Sequence, residues 1–406
     1  MNKHQQGTRL IVASAAISSL GPFGMHVLLP SLPAIAGEFA VATSTAQLLI
    51  SLSLVAVALG NLVVAPLSDR FGRRPVIVAG LGLFIAGSLA GMFAPGITPL
   101  VAARVLQAFG AGAAMAVARA AITDHFGVER SASAMATTAT AVLVVPMFAP
   151  SLGGFTVEWA GWRAVFLLAM LLGVAVLYLT LARTGETHAR DPSAGPSPRT
   201  LSSYRRLLGS PGYLSYVLFG SCMMGAVTVF ITSTPYVAIQ VYGVKPSTYG
   251  LLFFLPAFAS FSGFFFTARM ARRLGGIRMM RMGAGLAFLG AASMLALAAA
   301  GVAHPLALFL PGMLVCGANA LSAPNSTSGA ITSAPDMAGA ASGLLGFIQL
   351  LVGAAMTQLV AVLADGTAFP LVGAIAGLNL CALGLLAHIT RRGALETVRR
   401  QPSDAG

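Results

Sequence analysis

Apolar runs of about 20 residues, separated by short polar stretches, recur along the whole chain. A run of that length is long enough to cross the hydrocarbon core of a bilayer as a helix. We predict twelve such helices, at residues 10–33, 46–67, 76–94, 99–121, 134–155, 163–182, 212–237, 247–269, 279–300, 306–332, 338–363 and 367–389. The pattern therefore predicts an all-α membrane protein with twelve transmembrane helices.

The composition supports this class, because 57% of the 406 residues are hydrophobic and 9% are charged, against about 25% charged in soluble domains. The net charge of +13 would also suit nucleic acid, but its placement argues against that partner. Arginines gather in alternate loops, whereas the opposite side receives only Arg163 and Lys245. The positive-inside rule then predicts cytoplasmic N- and C-termini in a bacterial inner membrane.

A polar segment rich in Pro, Gly and Ser, at 183–211, predicts a cytoplasmic linker between two six-helix bundles. The bundles would occupy 1–182 and 212–406, the second one including a cytoplasmic tail. The spacing of Gly and Arg residues in 60–70 recurs in 263–273, at an offset of 203 residues. Two pseudo-symmetric bundles around a site at the bilayer midplane are typical of transporters.

The stretch from Gly60 to Pro75 places dense charge between two membrane-length runs, so it must lie at a membrane surface. A loop that only sets topology is one interpretation. The stretch also resembles the signature loop between helices 2 and 3 of the major facilitator superfamily, G-x-x-x-x-x-P-x-x-D-R-x-G-R-R-P, at every motif position. The resemblance implies the major facilitator fold and a conformational latch formed by Asp69, Arg73 and Asp124.

Two ionisable residues, His26 and Arg104, lie deep within predicted helices, where such groups are costly and therefore functional candidates. His26 is suited to carry a proton, or it is a neutral histidine bonded to another helix or to substrate. Arg104, with Gln107 one turn on, resembles the superfamily's fourth-helix motif R-x-x-Q-x-x-G-x-G. The resemblance implies an arginine that faces the central cavity, with an arginine near the membrane interface as the alternative.

Two prolines and a glycine pair in 146–154 predict a bend and a close-packing face in the fifth helix. Pro150, Gly153 and Gly154 resemble the antiporter motif G-P-x-x-G-G, although Ala149 replaces its first glycine. The resemblance implies export, and a packing kink alone is the alternative.

In the superfamily, helices 1, 4, 7 and 10 line the cavity. Polar, aromatic and methionine residues on these and nearby helices are therefore candidates to contact substrate, although most such residues serve packing. The candidates are Met25, Met147, Met223, Thr228, Tyr236, Asn319 and Gln349.

Several stretches, including 28–33, 149–154 and 340–349, resemble the bicyclomycin-resistance and chloramphenicol-exporter (Bcr/CflA) group of drug:proton antiporters over essentially the whole chain. That group usually has an aspartate in helix 1, in D-x-Y-L-P, where this chain reads His26-Val-Leu-Leu-Pro30. Without that acid, cationic substrates are less favoured, so neutral or weakly anionic compounds are expected.

The resemblance implies a proton-driven alternating-access efflux transporter, monomeric in the lipid bilayer, whose partners are protons and a small-molecule substrate. A dedicated metabolite exporter and an uncoupled facilitator of the same fold are the alternatives. No cofactor, metal or nucleic acid is expected. We do not expect an enzyme either, because His26 has no companion acids or ligands at its depth in the membrane.

Overall fold

The computed structural model describes residues 3–183, 186 and 198–400, with the backbone alone at 3–6, 65–66, 128–130, 132–133, 183, 198–201 and 392–400. Residues 184–185 and 187–197 of the predicted linker, and 401–406 of the predicted tail, lie outside the described residues.

The apolar runs fold into helices. Eleven helices among the described residues are long and apolar enough to cross a membrane. One of these, Ala134–Ala182, is interrupted at Gly161, whose φ of 77° ends one helix and begins the next. The described residues thus contain twelve membrane-length helices, which confirms the predicted fold class.

We name these helices α1 to α12 in chain order. They are α1 (Lys3–Leu28), α2 (Thr43–Phe71), α3 (Arg73–Met92), α4 (97–126), α5 (128–160), α6 (162–183), α7 (Pro211–Val241), α8 (Pro246–Leu274), α9 (Gly276–Ala299), α10 (Leu306–Thr332), α11 (Ala338–Val362) and α12 (Phe369–Arg400). The helical path of α1 continues through a 3-10 turn, Leu29–Ser31, into the short helix Leu32–Glu38, and α7 ends in a π-helical segment, Tyr236–Val241.

Glycines with positive φ end α2 and α8. Gly72 has φ 94° and ψ 153°, and Gly275, offset by 203 residues, has φ 79° and ψ 151°. This backbone conformation strains any residue with a Cβ. The sequence repeat therefore reflects a repeated turn, with α3 or α9 starting immediately after it.

The repeat extends to helix packing. In the first half, glycines of α2 and α3 lie against the backbone of α4. In the second half, glycines of α8 and α9 lie against the backbone of α10 in the same way. The equivalent contacts, with the distance from a Cβ built on the glycine to the carbonyl oxygen, are Gly60 to Phe109 (2.8 Å), Gly263 to Gly317 (2.9 Å), Gly80 to Gly110 (2.9 Å), Gly283 to Ala318 (2.7 Å), Gly87 to Ala103 (2.7 Å) and Gly290 to Pro311 (2.8 Å). The glycines are again offset by 203 residues, whereas their partners on α4 and α10 are offset by 208.

The chain divides into two compact units. One contains 1–197, 231–257 and 354–370, and the other contains 198–230, 258–353 and 371–406. The first unit thus holds α1 to α6 with the end of α7, the start of α8 and the end of α11. The division into bundles at 1–182 and 212–406 stays a prediction.

Candidate functional site

Arg104 lies on α4 with 3% of its surface exposed. Its Nη1 donates a hydrogen bond to Oε1 of Gln107, one turn further on, and Nε2 of Gln107 donates to Oγ of Ser88 on α3 at 2.6 Å. Gly87 permits this approach, because a Cβ there would lie 2.5 Å from the backbone nitrogen of Gln107. The structure brings the predicted pair together and adds Ser88, for which the sequence offers no signal beyond a serine next to a glycine.

Arg104 has no carboxylate partner among the described residues. Its Nε is buried without a hydrogen-bond partner, and no ion pair among the described residues involves it. On α1, Gly24 faces the guanidinium, since a Cβ there would lie 3.7 Å from Nη1. A buried cation with a free donor can bind a ligand oxygen, above all a negatively charged one.

His26 lies on α1 and is 7% exposed. Its Nδ1 is 2.7 Å from the carbonyl oxygen of Pro22; because a carbonyl only accepts, Nδ1 carries the proton and Nε2 is the free acceptor. Nε2 is buried without a partner, and the ring meets Phe253 of α8 edge-on at 6.0 Å between centroids. No hydrogen bond among the described residues joins His26 to Arg104.

Arg73, at the start of α3, holds the predicted latch residues together. Its Nη1 is 2.5 Å from Oδ1 of Asp69 on α2, and its Nε is 2.8 Å from Oδ2 of Asp124 on α4. Nη1 also donates to Oγ of Ser68. Arg73 is only 7% exposed, so these ion pairs have the partial burial that gives them strength. We call this end of the helices the Arg73 end.

Glu186 also binds at the Arg73 end, and the sequence reasoning missed it. Its Oε1 accepts a hydrogen bond from the Arg73 backbone nitrogen at 2.9 Å, and its Oε2 accepts one from the Arg74 nitrogen at 3.3 Å. The carboxylate therefore caps the N-terminus of α3, where free amides and the helix dipole favour an anion. The only sequence signal was an acid in the stretch interpreted as linker.

At the opposite end, Glu38 connects the segment after α1 to α6. Its Oε2 accepts a hydrogen bond from Nε1 of Trp162 at 2.6 Å, and its Oε1 lies 2.5 Å from Nη1 of Arg163. We call this the Glu38 end.

The predicted antiporter-motif glycines make backbone contacts in the half of α5 toward the Glu38 end. A Cβ on Gly153 would lie 2.1 Å from the carbonyl oxygen of Val27 on α1, and one on Gly154 would lie 2.2 Å from that of Pro246 on α8. Pro150 takes part as well, because a Cβ on Gly250 of α8 would lie 2.5 Å from its carbonyl oxygen. Three helices thus meet here without intervening side chains.

At the Glu38 end, two glutamines join α2 to other helices by hydrogen bonds. Gln47 Nε2 donates to the carbonyl oxygen of Thr232 on α7 at 3.1 Å. Gln358 of α11 accepts from Ser51 Oγ at 2.9 Å and donates to the Ser44 carbonyl oxygen at 3.0 Å. These polar contacts between helices were not predicted, because nothing in the sequence shows that these side chains face one another.

A small cavity of about 10 Å³, enough for roughly one water molecule, lies beside Gln47. Tyr236, one of the predicted cavity residues, contributes to its wall together with Ala46 and Thr232.

The other candidates have mixed surroundings. Met223 is 1% exposed in a hydrophobic core, Thr228 and Met147 are also buried, and Met25 and Gln349 are partly exposed. Asn319 is 7% exposed, with its Oδ1 unpartnered and its Nδ2 3.8 Å from the Met224 sulfur. Substrate contact by any of them stays a prediction.

Comparison with known proteins gives the family. Residues 14–357 match the sequence profile of the Major Facilitator Superfamily. The chain is 31% identical over 366 residues to the uncharacterized MFS-type transporter YdgK of Bacillus subtilis, covering 88% of this chain and 89% of that protein. It is 26% identical over 397 residues to Multidrug resistance protein D of Escherichia coli, covering 96% and 99%.

The bicyclomycin resistance protein homolog of Haemophilus influenzae is 27% identical over 379 residues, covering 91% of this chain and 93% of that protein. Among solved structures, the partially occluded inward-open xylose transporter XylE from E. coli has the same fold, with a TM-score of 0.73 at 12% identity, covering 95% of this chain and 97% of that chain. With its membrane-length helices and a family match along most of its length, this multi-pass membrane protein belongs to the Major Facilitator Superfamily.

Proposed function

We propose that this protein is an alternating-access efflux transporter that exports small, neutral or weakly anionic drugs or similar compounds in exchange for protons. The observation that carries the proposal is the similarity, over more than nine-tenths of the chain, to two relatives whose names state multidrug and bicyclomycin resistance. The proposal is transport rather than catalysis, by a monomer in the lipid bilayer.

In the proposed orientation the Arg73 end faces the cytoplasm of a bacterial cell, as do both termini and the linker. The support is the distribution of arginine, which is dense around 70–74 and nearly absent from the loops on the other side. The Glu38 end then faces outward, and export requires that end to open. The backbone contacts of Gly153 and Gly154 would have to separate for it to do so.

His26 is the proposed proton carrier. Its neutral imidazole has a free acceptor at Nε2, and protonation there would create a buried cation that no described carboxylate pairs with. Such a cation is costly in a dry environment. When the Glu38 end is closed and His26 is buried, the neutral form of the imidazole is therefore favoured. Protonation from the outside would instead favour the state in which water reaches the ring.

The test uses inside-out membrane vesicles with an imposed proton gradient, reported by a pH-sensitive dye. Chloramphenicol, bicyclomycin or cysteine is added, and substrate-dependent loss of the gradient is measured for the wild type and His26→Ala. His388→Ala serves as the matched control, because it removes an exposed histidine of α12. We expect a response in the wild type and the control that His26→Ala abolishes.

A response that persists in His26→Ala would place proton coupling elsewhere. Uptake of an added compound without any loss of the gradient would overturn proton exchange and favour an uncoupled facilitator. A response to cysteine but to neither drug would favour a dedicated metabolite exporter of the same fold.

A further inference from the structure

Ser88, Gln107 and Arg104 form a chain of hydrogen bonds with a fixed direction. The Ser88 hydroxyl donates to the carbonyl oxygen of Phe84, one turn back on α3, at 2.8 Å. Its single proton is then used, so Ser88 Oγ must accept from the amide nitrogen of Gln107. The amide oxygen of Gln107 is thereby turned toward Arg104 and accepts from Nη1.

The members of this chain are almost fully buried, with exposed fractions of 0% for Ser88, 1% for Gln107 and 3% for Arg104. Without the Ser88 hydroxyl, the amide nitrogen of Gln107 would lose its buried hydrogen-bond acceptor, and this contact would no longer orient the amide. Because a buried donor without a partner is costly, the hydroxyl favours the amide orientation that Arg104, which can only donate, also requires.

The second half of the protein shows that the fold does not require these hydrogen bonds. By the offsets of the glycine contacts in the two halves, Ala291 of α9 is equivalent to Ser88. Val315 and Gly312 of α10 are equivalent to Gln107 and Arg104. In that half the space beside Gly312 is taken by the ring of Phe230, which a Cβ on Gly312 would approach to 2.3 Å. At these equivalent positions the same helix crossing packs without a hydrogen-bonding side chain.

We propose that Ser88 is a positioning residue that acts through Gln107 to orient Arg104 as the binding site for an anionic oxygen group of the substrate. The Nε donor of Arg104 is buried without a partner, and no described carboxylate neutralises the guanidinium. A carboxylate or similar anion would satisfy both, by a charge-assisted hydrogen bond. This inference rests on the proposed transport function and names its preferred substrate class.

The test is equilibrium binding to purified protein in nanodiscs, which needs neither a proton gradient nor transport and so fails independently of the proposed function. The probes are chloramphenicol, which is neutral, and chloramphenicol hemisuccinate, which carries a carboxylate on the same body. We expect the hemisuccinate to bind about tenfold more tightly to the wild type, as suits one added charge-assisted contact.

Ser88→Ala should remove most of that preference while changing the affinity for chloramphenicol by less than about threefold. Its packing is tolerated by the fold, because alanine occupies the equivalent position 291. Ser88→Thr keeps a hydroxyl that bonds one turn back in a helix, and should restore the preference. A purely structural role would instead weaken both probes together.

Gly24 offers a second test that leaves the chain of hydrogen bonds intact. A side chain there points toward Arg104 with its Cβ in ordinary contact, 3.7 Å from Nη1. Gly24→Asp should pair with the guanidinium and abolish the preference, whereas Gly24→Asn, of equal size, should retain it.

A wild type that prefers chloramphenicol, or that binds neither probe, overturns the substrate class. Unchanged preference in Ser88→Ala overturns the positioning role of Ser88. Equal behaviour of Gly24→Asp and Gly24→Asn overturns the role of the Arg104 charge.

Discussion

Gly153 and Val27 are so close that no other residue fits at the glycine. A Cβ built on Gly153 would lie 2.1 Å from the carbonyl oxygen of Val27, far inside van der Waals contact. That oxygen belongs to the backbone and cannot rotate away as a side chain could. The contact of α1 with α5 therefore depends on a glycine, and the neighbouring residue of Val27 is His26.

Gly153→Ala should prevent the close contact of α1 and α5. One extra methyl in a packed interface costs about 1–3 kcal/mol, so we expect the Glu38 end to be open about tenfold more often. Export should fall, because each transport cycle must also return to the state in which this end is closed. Opening is measured by maleimide labelling of a cysteine placed at Ala46, which is 3% exposed and lines the small cavity there.

Gly346→Ala is the matched control for this variant, because a Cβ on Gly346 of α11 meets nothing within 4 Å. It should leave labelling and export unchanged. If Gly153→Ala also left both unchanged, the contact would have no role in opening.

Gln358→Leu should loosen the Glu38 end by a different route. It removes two hydrogen bonds from α11 to α2, one with Ser51 and one with the backbone of Ser44. At about 1 kcal/mol for each bond, labelling at Ala46→Cys should rise at least fivefold.

Two serines of α2 provide the comparison for Gln358→Leu. Ser51→Ala breaks a contact between helices and should raise labelling, whereas Ser53→Ala breaks only a bond within α2, to Leu49. Equal labelling of the two serine variants would contradict a role for the α2–α11 contact.

Arg73→Lys should disrupt the Arg73 end although it keeps the positive charge. Lysine has a single nitrogen and cannot reproduce the two-sided contact with Asp69 and Asp124. Since bonds to charged groups contribute about 1.5–3 kcal/mol, we expect a free energy of unfolding lower by about 2 kcal/mol and at least tenfold slower transport. Arg70→Lys is the control, as Arg70 is exposed and stacks on Phe71. Equal effects of Arg73→Lys and Arg70→Lys would rule out a specific role for the contact of Arg73 with Asp69 and Asp124.

Glu186→Ala should destabilise the start of α3. Loss of a helix cap costs about 1 kcal/mol, which thermal unfolding in detergent would detect as a lower Tm. Glu186→Gln keeps an acceptor for the amides of Arg73 and Arg74 but loses the charge that favours a helix N-terminus. Its Tm should fall between those of the wild type and Glu186→Ala, and a Tm equal to the wild type in both variants would contradict the cap.

Apolar run length and charge placement were sufficient to predict the twelve helices, because a bilayer demands a minimum apolar length whatever the tertiary packing. The ends were less predictable. The fifth helix, expected at 134–155, extends over 128–160, because the helical path is interrupted at Gly127 and Gly161, which both have positive φ. The predicted neighbours Arg104 and Gln107, one turn apart, do bond to each other, as helical spacing allows.

The sequence by itself determined where the membrane-length helices lie, where the charge gathers and that the two halves repeat, because these properties depend on local composition and spacing. It did not predict the helix Pro198–Leu208, which lies in the stretch interpreted as a linker. Only the tertiary structure decided that Ser88 meets Gln107, that Glu186 caps α3, and that His26 lies against Phe253 rather than bonded to Arg104. Such contacts join residues far apart in the chain, and they depend on how each helix is rotated about its axis. That rotation is set by backbone approaches at glycines, such as Gly87 against Gln107, which a single sequence does not reveal.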